Sequence, residues 1–285
     1  MHHTISLNDG TELPQIGLGV YLVTDVDICE ASVTQAIDSG YRLIDTATVY
    51  RNERAVGRGI RASGVPRDQI VVTTKIWPSD YGARRTRAAI ERSLDRLGTG
   101  RIDLLLLHQP VGDVAGAWAA MEDAVDRGDV GSIGVSNFTA EDLRPLLASA
   151  RVRPAVDQVE LHPYWRQPDL LPFLAAEGIV PQAWYPLGHG STELLAEPAV
   201  TRPAERTGRS PVQVVLRWHV QSGIIALPKS TNPAHIAANL DIFDFELEPA
   251  EMAAIDALGR SRPMYRAPRW ALSALARLGT PPQLR

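Results

Sequence analysis

Short apolar runs alternate along this chain with segments whose apolar residues recur at helical spacing. The runs are continuous, which is the pattern of parallel strands covered on both faces. Between them, residues such as Ile90, Leu94 and Leu97 are spaced so that they share one face of a helix. The eight predicted strands are residues 16–19, 42–45, 70–75, 102–108, 132–136, 156–160, 180–184 and 224–228.

The residues ahead of the first strand predict a β-hairpin. Residues 4–7 and 11–13 are short strand-like segments, and Asn8, Asp9 and Gly10 join them. An Asp-Gly pair supplies the positive φ that tight hairpin turns require.

Eight strand–helix units in a chain of this length predict a (β/α)8 TIM barrel, a fold of the α/β class. A doubly wound sheet would also alternate strands and helices. However, the first strand–helix turn lacks the third glycine of the dinucleotide-binding fingerprint after Gly17 and Gly19. Gly and Pro are spread along the chain without a linker-like cluster, so we expect residues 1–285 to form a single domain.

Two segments depart from the simple alternation. The longest insertion, residues 188–209, contains Pro203 within a helical pattern, so a helix there should start near this proline or kink at it. The tail, residues 261–285, is expected either to pack as a short helix or to cover the mouth of the barrel. It is basic and partly apolar through Arg262, Arg266, Arg269, Trp270, Leu272 and Leu275.

Composition and charge narrow the class of protein. The net charge of −4 and the pI of about 6.0 do not favour a nucleic-acid partner. We find no signal peptide and no apolar run of membrane-spanning length, so a cytoplasmic protein without membrane partners is expected. We also expect a monomer, and no metal site, since His2 and His3 are too few for a metal-binding tract.

Two potentially reactive side chains receive structural interpretations. Cys29 is the only cysteine, which excludes an intrachain disulfide and fits a reducing compartment. It lies in a helical apolar pattern and is interpreted as a core residue rather than a nucleophile. His219 lies on the apolar face of another helical segment and is interpreted as a hydrogen-bonded interfacial histidine rather than a ligand.

Polar side chains follow buried strands at successive strand ends, where the active sites of such barrels lie. Each alone has an ordinary structural explanation, but their convergence on one rim indicates a functional site. These residues are Asp45, Lys75, His108, Ser136, Asn137, Gln158, Glu160, Trp184, Lys229 and Ser230.

Tyr50 follows one of these strand ends and precedes a helix predicted to begin behind Asn52, a residue of the N-cap type. A phenol has a reference pKa of about 10 and needs a nearby cation to exchange protons readily at neutral pH. Lys75 can be that cation, Asp45 can hold it in place, and His108 can donate a hydrogen bond to a carbonyl oxygen. Such a set protonates a carbonyl oxygen but supplies no hydride, so a nicotinamide cofactor is implied.

The chain resembles the aldo-keto reductase family in motifs that extend from the hairpin to about Phe245. The motifs are GYRLIDTATVYRNERAVG, VVTTKIW, DLLLLHQP, GSIGVSNF, VDQVELHP, AWYPLGHG and LPKSTNPAHIAANL. The resemblance implies a barrel whose bottom is closed by the amino-terminal hairpin. It also implies that Asp45, Tyr50, Lys75 and His108 are catalytic, with Tyr50 as the proton donor.

The same resemblance implies a cofactor site along the rim. Ser136, Asn137 and Gln158 match residues that bind the nicotinamide carboxamide, and Trp184 matches the residue stacked on the ring. The residues matched to the phosphate and adenosine site are Leu187, Leu227, Lys229, Ser230, Thr231, His235, Ala238 and Asn239.

The chain departs from the family pattern at positions that affect specificity. Gln109 stands where many relatives have Trp, so one wall of a substrate pocket formed with Tyr21 and Trp77 is polar. His235 stands where relatives often have Arg against the 2′-phosphate of the cofactor, and Ala238 where many have Glu. NADPH is therefore expected, with NADH possible as well. The overall similarity is to bacterial 2,5-diketogluconate and glyoxal-type reductases.

The resulting hypothesis is an NADPH-dependent reductase of aldehydes and ketones, including dicarbonyls and keto-sugars. Two alternatives from other classes stay open. One is a barrel that binds the nucleotide as a sensor or subunit with little turnover. The other is a Schiff-base aldolase that uses Lys75, although Asp45 beside it would favour the charged amine, which is not nucleophilic.

Overall fold

The computed structural model describes residues 3–260, 263–264 and 268–277. In this part of the chain the eight predicted strands form one parallel sheet, in which each strand pairs with the next along the chain. Every predicted strand is present, with bounds that shift by at most two residues. The strands are β3 Leu18–Gly19, β4 Leu43–Asp45, β5 Val71–Ile76, β6 Ile102–Leu107, β7 Val130–Ser136, β8 Val156–Glu160, β9 Val180–Trp184 and β10 Ile225–Ala226.

The sheet closes on itself and forms the predicted barrel. Ile16 and Ala226 form a parallel bridge that joins the first strand to the last. The Gly17 amide donates to the Ala226 carbonyl at 3.0 Å, and the Gly19 amide donates to the Pro228 carbonyl at 3.1 Å. Residues that follow β10 therefore lie between the ends of β9 and β3.

The predicted hairpin is present as β1 Thr4–Ser6 and β2 Glu12–Pro14, which pair antiparallel. Leu7 and Leu13 pack with the apolar side chains inside the barrel. Asn8 donates from its side chain to the Pro154 carbonyl at 2.8 Å. The hairpin thus closes the amino-terminal end of the barrel and leaves the carboxyl ends of the strands as the accessible mouth.

Helices cover the outside of the barrel. Their apolar faces pack on the strands in a second, larger cluster, which includes Ile90 and Leu97 of the predicted helical pattern. The helices of the described residues are α1 Val26–Asp38, α2 Glu53–Ala62, α3 Ala83–Leu97, α4 Val114–Asp126, α5 Ala140–Ser149, α6 Leu170–Glu177, α7 Thr192–Leu195, α8 Pro198–Thr207, α9 Pro211–Gln221, α10 Pro233–Leu240, α11 Pro249–Asp256 and α12 Arg269–Arg277. In the part of the chain that is described, none of them is both long and apolar enough to cross a bilayer.

Two local predictions need correction. The helix α2 does begin after Asn52, but the Asn52 side chain makes no cap hydrogen bond. It is buried and donates to the carbonyls of Val20 and Val23 at 3.0 and 3.2 Å, so it ties the first two βα loops together. In the insertion, α8 begins at Pro198, because a proline in the first turn sacrifices no intrahelical hydrogen bond, and it continues past Pro203, which lies inside it. A start near Pro203 is therefore wrong, and a kink at this proline stays a prediction.

Cys29 is fully buried in α1, as interpreted from the sequence. Burial raises the pKa of its thiol to about 12. A thiol that stays protonated at neutral pH is a poor nucleophile, so the structural interpretation is confirmed.

Candidate active site

An ion pair lies at the centre of the barrel mouth. Lys75, at the end of β5, is fully buried, and its Nζ donates to Asp45 Oδ1 at 2.6 Å and to the Thr46 carbonyl at 2.9 Å. The Thr48 hydroxyl donates to the Lys75 carbonyl at 2.9 Å and fixes the backbone of the lysine. The predicted contact between Asp45 and Lys75 is therefore present.

Tyr50 ends a short 3₁₀ turn, Thr48–Tyr50, that brings its ring over this ion pair. Lys75 Nζ lies 5.0 Å from the centre of the Tyr50 ring. The His108 ring packs against the same ring in an edge-on arrangement, with 5.8 Å between the centroids. The four residues predicted to be catalytic are thus brought together from three strand ends.

The surroundings of these groups set their protonation states. Burial raises the pKa of the Tyr50 phenol well above its usual value, and the Asp45 carboxylate adds to this effect. Burial, together with the Lys75 charge, lowers the pKa of His108 well below its usual value. Burial also lowers the pKa of Lys75, and the attraction of Asp45 opposes that shift. At neutral pH the phenol therefore carries its proton and the imidazole is neutral.

The expectation that Lys75 brings the pKa of Tyr50 below its usual value is wrong, because burial and the Asp45 carboxylate raise that pKa instead. The ammonium lies over the face of the ring, and Asp45 compensates its charge at 2.6 Å. The phenol therefore experiences desolvation and a nearby carboxylate rather than a free cation. A protonated Tyr50 is suited to donate a proton rather than to remove one.

A chain of hydrogen bonds connects the residues predicted to bind the nicotinamide. Trp184 Nε1 donates to Asn137 Oδ1 at 2.9 Å. Asn137 Nδ2 donates to the His108 carbonyl and to Ser136 Oγ, both at 3.1 Å. The Ser136 hydroxyl in turn donates to the Gln158 carbonyl at 2.8 Å. These four predicted residues form one connected rim beside His108.

The Gln158 side chain makes hydrogen bonds inside the barrel that were not predicted. Its Nε2 donates to Asp45 Oδ2 at 2.8 Å and to Gln182 Oε1 at 2.9 Å. Both amide hydrogens are therefore used inside the barrel. Only the Oε1 of Gln158 is left to accept a hydrogen bond from a bound carboxamide.

The residues predicted to bind the phosphate and adenosine follow β10 and enter α10. Lys229, Thr231, His235 and Ala238 are exposed, while Leu227 and Asn239 are buried and Ser230 and Leu187 are partly buried. The helix α10 is capped by Asn232, whose Oδ1 accepts from the amides of Ala234 and His235. Two of the free amides at this helix start are therefore already satisfied, and a bound anion would depend mainly on Lys229, Ser230 and His235.

Two of the three residues predicted to line a substrate pocket lie beside the catalytic rings. The Tyr21 ring lies 5.0 Å from the Tyr50 ring, and the Trp77 ring lies edge-on to His108 at 5.2 Å. Gln109 is buried, and the Tyr81 hydroxyl fixes its backbone by donating to its carbonyl and accepting from its amide.

Comparison with known proteins identifies this arrangement. Residues 16–260 match the sequence model of the Aldo/keto reductase family. The chain belongs to this family. It is 46% identical to a morphine 6-dehydrogenase of Pseudomonas putida, across 89% of this chain and 90% of that protein. It is 43% identical to a glyoxal reductase of Bacillus subtilis, across 90% of this chain and 93% of that protein.

A solved structure gives the same result for the fold. The aldo-keto reductase of Bombyx mori, in complex with NADP, superimposes with a TM-score of 0.90 and 34% identity. The match covers 95% of this chain and 97% of that one. The (β/α)8 barrel with its amino-terminal hairpin is therefore the aldo-keto reductase barrel.

Sequence reasoning missed Tyr185 of this aldo-keto reductase. Its backbone is left-handed, with φ 53°, and its ring packs edge-on to Trp184 at 4.8 Å and lies 6.3 Å from Tyr21. Consecutive strand residues point to opposite faces, so a residue directly after Trp184 is expected to point away from the mouth. The left-handed backbone changes that direction, and no residue type in the segment predicts this conformation.

The carboxyl-terminal segment of this aldo-keto reductase reaches the same end of the barrel. The Met264 amide donates to Glu160 Oε1 at 2.7 Å, and the Arg260 amide donates to the Tyr164 carbonyl at 2.7 Å. The helix α12 packs against the 3₁₀ turn Pro78–Asp80, which follows Trp77. Arg262 and Arg266 of the predicted tail lie outside the described residues. Among the residues that are described, no group of His, Cys, Asp and Glu could hold a metal ion.

Proposed function

We propose that this protein is an NADPH-dependent reductase that converts aldehydes and ketones to alcohols, with Tyr50 as the proton donor. The observation that carries the proposal is the arrangement of Tyr50 over the buried pair of Lys75 and Asp45, with His108 beside it. Asp45, Tyr50, Lys75 and His108 are the proposed catalytic residues.

The protonation states support this division of roles. A carbonyl oxygen gains negative charge during reduction and accepts the proton that Tyr50 holds. The neutral His108 can donate one hydrogen bond to the same oxygen, and its buried Nδ1 meets no partner among the described residues. After the transfer, Lys75 is the cation beside the Tyr50 ring, and its attraction for the phenolate is reduced because Asp45 already balances its charge.

The donor set at the rim fits a nicotinamide cofactor. When bound, the reduced nicotinamide supplies the hydride that no side chain provides. Gln158 Oε1 and the side-chain oxygens of Ser136 and Asn137 offer acceptors for the amide hydrogens of a carboxamide, since their own hydrogens are already donated, and the Trp184 ring offers a flat face. Lys229 and His235 are exposed at the other end of this site, where the phosphates are expected.

NADPH is the proposed cofactor because the 2′-phosphate would find the exposed Lys229 and His235 side chains nearby. The silkworm relative with bound NADP supports the same assignment. NADH is expected to bind as well, since His235 holds the phosphate less firmly than an arginine would.

The proposed substrates carry oxygen next to the reactive carbonyl, as dicarbonyls and keto-sugars do. Gln109 directly follows His108, so its buried amide can pair with such an oxygen beside the reaction centre. The relative named as a glyoxal reductase supports a dicarbonyl substrate.

The substrate class is tested by comparing methylglyoxal with propanal, an aldehyde of similar size. We expect kcat/KM to favour methylglyoxal at least about tenfold, since an unpaired buried amide costs roughly 1–3 kcal/mol. In the variant Gln109→Met the preference should shrink towards unity while Tyr50-dependent turnover persists. Equal kcat/KM for both aldehydes in the wild type would contradict the assignment.

Two other functions predict different results. A nucleotide sensor would bind NADPH but show no steady turnover of either aldehyde. A Schiff-base aldolase would be inactivated by borohydride in the presence of substrate through a covalent bond to Lys75. The two hydrogen bonds that hold Lys75 Nζ on Asp45 and Thr46 argue against a nucleophilic amine.

A further inference from the structure

A buried chain of polar side chains extends from the catalytic ion pair to the opposite wall of the barrel. Lys75 contacts Asp45, Asp45 accepts from Gln158, and Gln158 donates to Gln182. Asp45, Gln158 and Gln182 are 4%, 1% and 0% exposed. Bulk water therefore cannot replace any of these contacts, and each side chain depends on the next for its orientation.

The chemistry of these groups fixes the direction of the chain. The Asp45 carboxylate only accepts hydrogen bonds, so Gln158 must present Nε2 to it. Gln182 must then present its Oε1 to the second hydrogen of that Nε2. A reversed Gln158 would place its oxygen against Asp45 and against Gln182 Oε1, and both contacts would be repulsive. Asp45 therefore fixes the orientation of Gln158, and Gln182 reinforces it by accepting the second hydrogen, which leaves Gln158 Oε1 available for the cofactor.

Gln182 makes this contact at a cost to the folded state. Its Nε2 is buried and meets no acceptor among the described residues. A buried amide donor without a partner is destabilising, and an apolar side chain of similar size would avoid that penalty. Packing alone does not explain a glutamine here, whereas a requirement for its acceptor does.

We infer that Gln182 is a positioning residue for carbonyl reduction, which fixes the Gln158 amide and through it the Asp45 carboxylate on Lys75. This inference rests on the proposed function. Gln182 touches neither substrate nor the reacting atoms and acts only through Gln158. The charged and titratable groups at the other end of the chain are Asp45, Lys75, Tyr50 and His108.

The test is the variant Gln182→Met, which keeps the volume but removes the acceptor and the unpaired donor. With NADPH and methylglyoxal, kcat should fall roughly ten- to a hundredfold, the scale of a small misplacement of a catalytic group. The pH dependence of kcat should shift, because Asp45 is no longer held. The melting temperature should stay close to that of the wild type, because the unpaired donor of Gln182 is removed while one hydrogen of Gln158 loses its acceptor. A merely structural role predicts a lower melting temperature.

Gln213→Met is the matched control. Gln213 is also a buried glutamine, but it lies in α9, donates to the Asp241 carbonyl at 2.8 Å and accepts from the Ser210 amide at 2.9 Å. This variant loses satisfied hydrogen bonds remote from the mouth. It should melt at a lower temperature, with kcat and the pH profile of the wild type.

Gln182→Glu provides a second measurement that does not depend on the methionine variant folding. It retains an acceptor for Gln158 and adds a negative charge near Asp45. We expect kcat above that of Gln182→Met and an alkaline limb moved to higher pH. A Gln182→Glu enzyme with an unmoved profile and the kcat of the methionine variant would overturn the role.

The remaining outcomes separate the two proposals. If the wild type reduces methylglyoxal and Gln182→Met matches it in kcat and pH profile, only the positioning role is overturned. A methionine variant with a lowered melting temperature and an unchanged pH profile also overturns it, in favour of packing. If the wild type reduces no carbonyl substrate, the proposed function fails, and the role of Gln182 fails with it.

Discussion

At the scale of single residues, the surroundings of Tyr50 determine which chemistry the mouth can perform. Burial and the Asp45 carboxylate both raise the pKa of its phenol, so the hydroxyl remains protonated across the physiological pH range. The charge that would stabilise a phenolate, on Lys75, is already balanced by Asp45. The site is therefore prepared to give a proton to a developing alkoxide.

The first prediction concerns this hydroxyl. Tyr50→Phe should lower kcat for carbonyl reduction by at least about 10²-fold, the scale of general acid catalysis, while NADPH affinity persists. Tyr41→Phe is the control, since it removes a buried hydroxyl that donates to the Ile236 carbonyl away from the mouth. Steady-state kinetics and a cofactor titration by Trp fluorescence measure both effects. Near-normal turnover in Tyr50→Phe would rule out this proton donor.

The second prediction concerns His235, which is exposed in the first turn of α10. Arginine can hold a phosphate through two parallel hydrogen bonds and stays charged, whereas an imidazole offers a single donor at a time to the same oxygens. His235→Arg should therefore tighten NADPH roughly ten- to a hundredfold, while the Kd for NADH changes little. Fluorescence titrations of both cofactors on the wild type and the variant measure this. An unchanged Kd for NADPH in His235→Arg would mean that this position does not contact the phosphate.

At the scale of elements, strained turns follow the carboxyl ends of the strands. Among the described residues, every non-glycine residue with positive φ lies on this side of the barrel. They are Leu22, Arg51, Asn137, Gln167, Tyr185 and His189. A left-handed conformation is unfavourable for such residues and concentrates at functional sites, where the surrounding structure enforces it. The strands are thus regular, and these turns change the direction of the side chains at the mouth of the barrel.

The helix α9 carries a pH-dependent contact on the outside of the barrel. His219 is fully buried between the carbonyls of Val215 and Leu161, at 2.8 and 3.1 Å from its ring nitrogens. Burial lowers its pKa to about 4, although the two carbonyls oppose the shift. The interpretation of His219 as an interfacial, hydrogen-bonded histidine is confirmed.

The third prediction is a loss of stability in acid that arises from this residue. The unfolded chain takes up a proton on His219 near pH 6.5, whereas the folded chain resists it down to about pH 4. The free energy of unfolding should therefore fall as pH drops through this window, by about 3 kcal/mol from this group. Urea titrations at pH 7 and 4.5 on wild type and His219→Gln measure it. An equal fall in both proteins would assign the acid sensitivity to other groups.

At the scale of the whole molecule, the barrel could be predicted because the same pattern, a buried strand followed by a helical segment, repeats along the sequence. All eight buried runs became strands, and polar residues at their ends converged on one rim. The catalytic contacts followed from topology, which places the ends of parallel strands side by side. Three features did not follow from the sequence: the direction in which the pKa of Tyr50 shifts, the hydrogen-bond partners of the Gln158 side chain, and the orientation of Tyr185. Each depends on distances or backbone angles that residue types do not encode.

The fourth prediction concerns the segment beyond Arg260, which we propose covers part of the mouth. Leu272 of α12 is buried, whereas Trp270 of the same helix is 76% exposed. Leu272→Ala should loosen α12 from the turn Pro78–Asp80 and raise KM for methylglyoxal several-fold, with the Kd for NADPH unchanged. Trp270→Ala should change neither. If both variants keep the wild-type KM, this segment does not shape the substrate site.

The bridge between Ile16 and Ala226 also has a consequence for how the chain folds during synthesis. Until the last strand has left the ribosome, β3 and β9 present open edges that invite pairing with other chains. The closing contact links residues far apart in sequence, and such contacts form slowly. Nascent chains that end before Ile225 should therefore aggregate more readily than complete ones, and the insertion between β9 and β10 prolongs that vulnerable interval.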